Sequence, residues 1–149
     1  MGAWGEGPFD NDTAGDMIMA LVAPMRKVID AKTDKHARQN YEKARVGVQF
    51  LLISHSTDIL GGPSLETVLR VLIRMRTDTE WLSCWKAPER IAQALQNELA
   101  AAFLRMRACE GCRREYGAVK LQEFAALIEE ARATPLPAKV RARSKPKRT

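Results

Sequence analysis

The chain has 149 residues, of which 46% are hydrophobic, 28% charged and 6% aromatic. That is the length of one domain and too apolar for wholesale disorder. The longest apolar run, residues 17–25, is nine residues long and contains Pro24, against the roughly 20 needed to span a bilayer. The net charge of +6 is unevenly placed: Arg132, Lys139, Arg141, Arg143, Lys145, Lys147 and Arg148 follow residue 131 with no acid among them. The preceding 131 residues hold 17 basic and 18 acidic groups, a net −1, so any argument from basicity to nucleic acid rests on the tail.

Residues 1–12 read as an irregular arm, since Gly2, Gly5, Gly7 and Pro8 do not hold a regular element. Its acids, Glu6, Asp10 and Asp12, followed by Asp16 with no cation between, have the wrong charge for a secretory leader, and the expected location is the cytoplasm. Asp12 or Thr13 is placed to cap a helix carrying Met17, Ile18, Leu21 and Val22. Pro24 should end or kink it, with a continuation to about Ala31 that turns Met25, Val28 and Ile29 inward.

The clearest periodicity follows. Ala37, Tyr41, Ala44, Val48, Leu51 and His55 step by four and three residues, one stripe on one long helix capped by Thr33 or Asp34. Residues 46–50 have strand propensity, but the spacing favours helix. Gly61, Gly62 and Pro63 stop it, and Ser64 caps the next helix, with Leu65, Val68, Leu69, Leu72 and Ile73 inward. Residues 77–80 have the form of a capping box before a short helix bearing Trp81, Leu82, Cys84 and Trp85. Pro88 suits the first turn of a helix striped by Ile91, Leu95, Leu99, Ala102, Phe103 and Met106. Gly111 and Gly117 bracket a break, and a last helix buries Val119, Phe124, Leu127 and Ile128. Pro135, Pro137 and Pro146 among the cations mark a disordered tail over 132–149. The expected fold is all-α, a single compact bundle of about six helices over residues 1–131.

The opening Met-Gly-Ala-Trp-Gly-Glu-Gly-Pro-Phe-Asp-Asn-Asp resembles the start of the bacterial domain of unknown function 4259 family. Trp4, Gly5, Gly7, Phe9, Asn11 and Asp12 fill the places of its motif, and Ala14 and Asp16 also look like the family. Met17 departs from it, standing where an aromatic residue or leucine is frequent. The resemblance implies a small, mostly helical bacterial protein, and it assigns no chemistry. Physically, Trp4 and Phe9 are apolar anchors for a strap across the helices. Asp10, Asn11, Asp12 and Asp16 are the polar groups that would converge beside it.

Candidate chemistry is sparse. Residues 10–21 begin like a calcium loop, but Ala14 and Leu21 occupy ligand positions. Cys109 and Cys112 have a spacing used for zinc or a redox pair; only Cys84, His36 and His55 remain as further donors, so no metal or cofactor is expected. His55 continues an apolar stripe and reads as a core or groove histidine, with Asp58 able to orient it. An enzyme would draw on Asp10, Asp12, Asp16 or His55, yet the sequence holds no phosphate loop, nucleophile elbow or zinc-protease motif. Trp81 and Trp85 lie one turn apart, either packed or as an interface hot spot, with Arg70, Arg74 and Lys86 available to flank them. The leading expectation is a non-enzymatic module that binds another protein through these tryptophans and the arm. The alternative is non-specific phosphate binding by Lys139, Arg141, Arg143, Lys145, Lys147 and Arg148, without base stacking because the tail has no aromatic residue.

Overall fold

The structure, a computed structural model, describes residues 12–53 and 62–138, with side chains from 16 and from 65 onward in the two stretches. These residues form seven helices and no strand: α1 (Asp12–Asp30), α2 (Asp34–Arg38), α3 (Tyr41–Ile53), α4 (Gly62–Thr77), α5 (Thr79–Ser83), α6 (Pro88–Ala108) and α7 (Glu110–Ala133). The fold is the expected helix bundle. At its centre lies α4, which touches α1, α3, α5, α6 and α7. The sequence stripe put one face of α4 inward, but Val71 and Met75 are also fully buried, beside Leu65, Val68, Leu69 and Leu72. Burying each such side chain contributes about 1.5–3 kcal/mol, so α4 is held from several sides at once.

Several boundaries differ from the sequence reading, among them the start of α4, which begins at Gly62 and so has Ser64 inside its first turn, not at its cap. The helix α1 continues through Pro24 to Asp30. The proline forfeits one backbone bond, while Val22, Met25 and Val28 bury on the same helix and hold it. Asp12 and Thr13 stand inside the first turn of α1 instead of at its cap, and Met17 is exposed. The long stripe is real, since Ala37, Tyr41, Ala44, Val48 and Leu51 are all buried, but it is carried by two helices. Thr33 caps the first, accepting from the His36 N–H at 3.3 Å, and a turn at Gln39 and Asn40 separates them. Finally, α5 is capped by Asp78, not Thr77, whose hydroxyl donates back to the Ile73 carbonyl at 2.8 Å. Cys84 and Trp85 consequently fall just beyond that short helix.

The break expected between Gly111 and Gly117 resolves into two features. Cys109 is at once the last cap of α6 and the first cap of α7, a joint of a single residue. Gly111 lies inside α7, and Gly117 interrupts it with φ +69°, a conformation that favours glycine. Past that kink Phe124 and Ile128 are buried as expected, but Val119 and Leu127 are 71% and 37% exposed, because they lie off the stripe of Leu121, Phe124, Ile128 and Ala131 that faces the core. The helix runs two residues past the boundary drawn at 131, so Arg132 is helical and Thr134 caps its end.

Helix α3 meets α1 at unusual range. A Cβ on Gly47 would sit 2.6 Å from the Leu21 carbonyl oxygen and 2.9 Å from Met25 Cε. The methionine can move; the backbone carbonyl cannot without parting the helices. Gly47→Ala is therefore expected to lower stability by about 1–3 kcal/mol, read as a fall in the urea midpoint at unchanged slope. Gly111→Ala is the control: its nearest neighbour would be Cys109 Sγ at 3.8 Å, and it should be neutral or stabilising.

Candidate functional site

The site grows from one carboxylate. Asp78, just after α4, is buried. Arg38 of α2 donates to it through Nε at 2.8 Å and Nη2 at 2.7 Å. The Tyr41 hydroxyl of α3 donates at 2.8 Å, and the Trp81 N–H, in the first turn of α5, at 3.0 Å. Burial alone would push the Asp78 carboxyl up, but the bonds from Arg38, the Trp81 N–H and Tyr41 prevail and hold it below its ordinary value. Burial, and then the bond to Asp78, pushes the Tyr41 phenol well above its usual range, so it remains a donor.

From that node a ladder of aromatic rings climbs to the surface. Tyr41 is fully buried. Its ring meets Trp81 edge to face at 5.1 Å and 84°, and Trp81 meets Trp85 at 5.7 Å and 80°. Trp81 packs partly against the core, while Trp85 is 38% exposed. Of the tryptophan pair, Trp81 is therefore packed and Trp85 is open to solvent. The two rings form one wall of a groove of about 380 Å³, shared with Glu42, Arg45, Val46 and Gln49 of α3 and Met75 of α4. Alongside, Glu98 of α6 accepts from Arg45 at 3.3 Å and from the Gln49 amide, while its second oxygen is buried without a partner. Burial raises the Glu98 carboxyl above its ordinary value despite Arg45 and Gln49.

Sequence reasoning missed the outer face of α3. Val46, Phe50 and Ile53 are 55%, 61% and 68% exposed, although the same helix buries Tyr41, Ala44, Val48 and Leu51. Their four-then-three spacing was visible as a second apolar stripe. It continues the groove along α3, since Val46 belongs to both.

Other sequence candidates separate. Asp16 is exposed on α1, and Asp12 is described only as the start of that helix. Trp4, Phe9, Asp10 and Asn11 lie outside the described residues, as do His55, Asp58 and the six cations from Lys139 to Arg148. Arg70 and Arg74 do not flank the tryptophans. Arg70 pairs with Glu66 at 2.8 Å and lies over the Phe124 ring, while Arg74 donates to the Val28, Ile29 and Ala31 carbonyls at the end of α1. The Cys109 sulfur accepts the Cys112 N–H at 3.4 Å as a helix cap. Burial, with Cys109 beside it, pushes the Cys112 thiol up to about 12, away from the thiolate that redox or metal chemistry uses. Among the described residues no three His, Cys, Asp or Glu side chains gather as a metal set.

Residues 2–43 match the family model described as Domain of unknown function (DUF4259), less than a third of the chain. The match spans the glycine-rich arm that carries the resemblance, together with α1, α2 and the first turn of α3. No curated protein and no solved structure matches the chain.

Asp78→Asn is expected to cost about 1–3 kcal/mol at neutral pH, at the low end for a buried pair because Arg38 is partly solvated. The pH signature is more specific. A carboxyl held below its ordinary value of 3.8 contributes stability that is complete above that value and is lost as pH falls through the native one. Urea unfolding across the acid range should show this limb in the natural chain and a shallower one in the variant.

Proposed function

We propose that this chain is a non-enzymatic interaction module of the bacterial cytoplasm, and that its groove and the outer face of α3 receive an amphipathic helix of another protein. One observation carries the reading: four large apolar side chains, Val46, Phe50, Ile53 and Trp85, stand in solvent on adjoining surface. Burial of each would contribute about 1.5–3 kcal/mol, and contiguous exposed apolar surface of this kind marks interaction sites. The four-then-three spacing along α3 forms a ridge of the type that interdigitates with a second helix. Trp85 supplies the anchor, packed edge to face on Trp81 and through it on Tyr41, so it is held in place before any partner arrives.

The bacterial assignment rests on the family resemblance of the arm. No helix among the described residues is long and apolar enough to cross a membrane.

A photo-crosslinking residue placed at position 50 or 85, with exposed Glu123 of α7 as control, tests the proposal in cells of the native host. Crosslinks from both positions should converge on one segment of one other protein, with apolar residues recurring at three and four. A synthetic peptide of that segment should shift tryptophan fluorescence on binding, and Trp85→Ala should weaken its Kd by about 30-fold or more. Crosslinks no richer than those from position 123, or crosslinks that fall on a second copy of this chain, overturn it.

A further inference from the structure

The groove between α3 and the tryptophans holds more than apolar surface. Trp81 and Trp85 both line it, and their planes cross at 80° with centroids 5.7 Å apart. Two rings at right angles enclose a corner bounded by a face of each, and an indole face attracts cations. Glu42, in the first turn of α3, lines the same groove and is exposed. No described cation pairs with its carboxylate, and the other charge on the wall, Arg45, is taken by Glu98 at 3.3 Å. Lys86, next after Trp85, does not line the groove. Beside Trp81, Arg38 is shared between Asp78 and Glu80, so that side too carries an excess of negative charge.

Elsewhere this chain covers its rings with cations of its own. Arg107 lies over Phe103 at 5.9 Å, Lys120 over Tyr116 at 4.9 Å and Arg70 over Phe124 at 5.8 Å. Among the described residues no cation lies over Trp81 or Trp85, although indole is the strongest acceptor of the three ring types. The groove wall therefore presents the best rings for a cation beside an unmatched carboxylate.

Resting on the reading that a partner helix occupies this groove, we propose that the helix carries an arginine whose guanidinium enters the tryptophan corner and donates to the Glu42 carboxylate. Arginine suits this chemistry better than lysine, because a flat guanidinium lies against an indole and still offers a fork of N–H donors. The fold also fixes where that arginine stands. Glu42 lies four residues before Val46 and eleven before Ile53 on α3, so about 16 Å of helix separate it from the far end of the apolar ridge. The arginine belongs at one end of the partner's apolar stripe, beside the residue that meets Val46.

The probe is N-acetylarginine amide, with its uncharged isostere N-acetylcitrulline amide as reference. Each is titrated into the full chain and followed by the indole N–H resonances, which Trp81→Phe and Trp85→Phe assign. The arginine probe should shift the Trp81 and Trp85 signals, and the citrulline probe should bind about ten-fold more weakly. Glu42→Gln should weaken the arginine probe by about three-fold and leave the citrulline probe unchanged. Trp85→Leu, which keeps an apolar side chain but removes the ring, should weaken the arginine probe by about ten-fold, read at Trp81. Both of these side chains stand in solvent, so neither change disturbs the core. Equal binding of the two probes, no shift at either indole, or an unaffected Glu42→Gln variant overturns the proposal. Tighter binding of tetramethylammonium than of the arginine probe overturns arginine in favour of a quaternary ammonium. Because the probe carries no helix, its failure beside convergent crosslinks refutes the arginine alone, whereas binding without such crosslinks refutes the helix. A crosslinked segment without an arginine within one turn of the residue captured from position 85 also overturns the proposal.

Discussion

The Asp78 carboxylate is the contact on which the rest of the arrangement depends. It sits between α4 and α5 and accepts from α2, α3 and the first turn of α5. Taking a carboxylate out of water is costly, and only a nearly complete set of donors offsets that cost. Here the set consists of a two-pronged guanidinium, a phenol and a backbone amide from separate parts of the chain. Because Tyr41 and the start of α5 are both fixed by this one group, the ring ladder from Tyr41 to Trp85 has a defined base, and the groove inherits its shape from a polar node inside an apolar bundle.

A second device recurs at the helix ends. The last carbonyls of an α-helix lack intrahelical partners, and among the described residues three ends are closed by arginines from neighbouring helices. Arg74 serves α1, Arg105 donates to the Leu51 and Leu52 carbonyls near the end of α3, and Arg76 serves α7. The positive charge complements the negative end of each helix dipole. Two of these arginines lie two residues apart near the end of α4, so the central helix also fastens the ends of two others.

These bonds explain what could and could not be read from the sequence. The stripes of α3, α4 and α6 were legible because helical spacing of apolar residues records burial directly. Ala37 to Leu51 and Leu95 to Met106 were placed inward, and they are inward. The break at Gln39 and Asn40 leaves that spacing intact and so leaves no trace in it. Pro24 gave a strong signal with a local cause, overridden by packing elsewhere on α1. The tryptophan spacing marked the site, whereas its two-sided character depends on Tyr41, 40 residues earlier than Trp81. Val46, Phe50 and Ile53 were overlooked because one good stripe already accounted for the helix, although a helix apolar on two faces carries more information than one apolar on a single face. Arg76 gave no signal, since a lone arginine on a helix looks like a solvated charge until the chain is folded around it.

The joint at Cys109 bears on how this architecture can vary over time. Two long helices meet there with no spare residue, and the one cap serves both. Each residue of helix turns its successors by about 100°, so a single insertion or deletion at this elbow would swing Cys112 and Tyr116 out of the interior. The kink at Gly117 would have to absorb the remainder before Phe124. Lineages carrying this arrangement should therefore keep a constant length from α6 through Gly117, and changes in chain length should accumulate elsewhere.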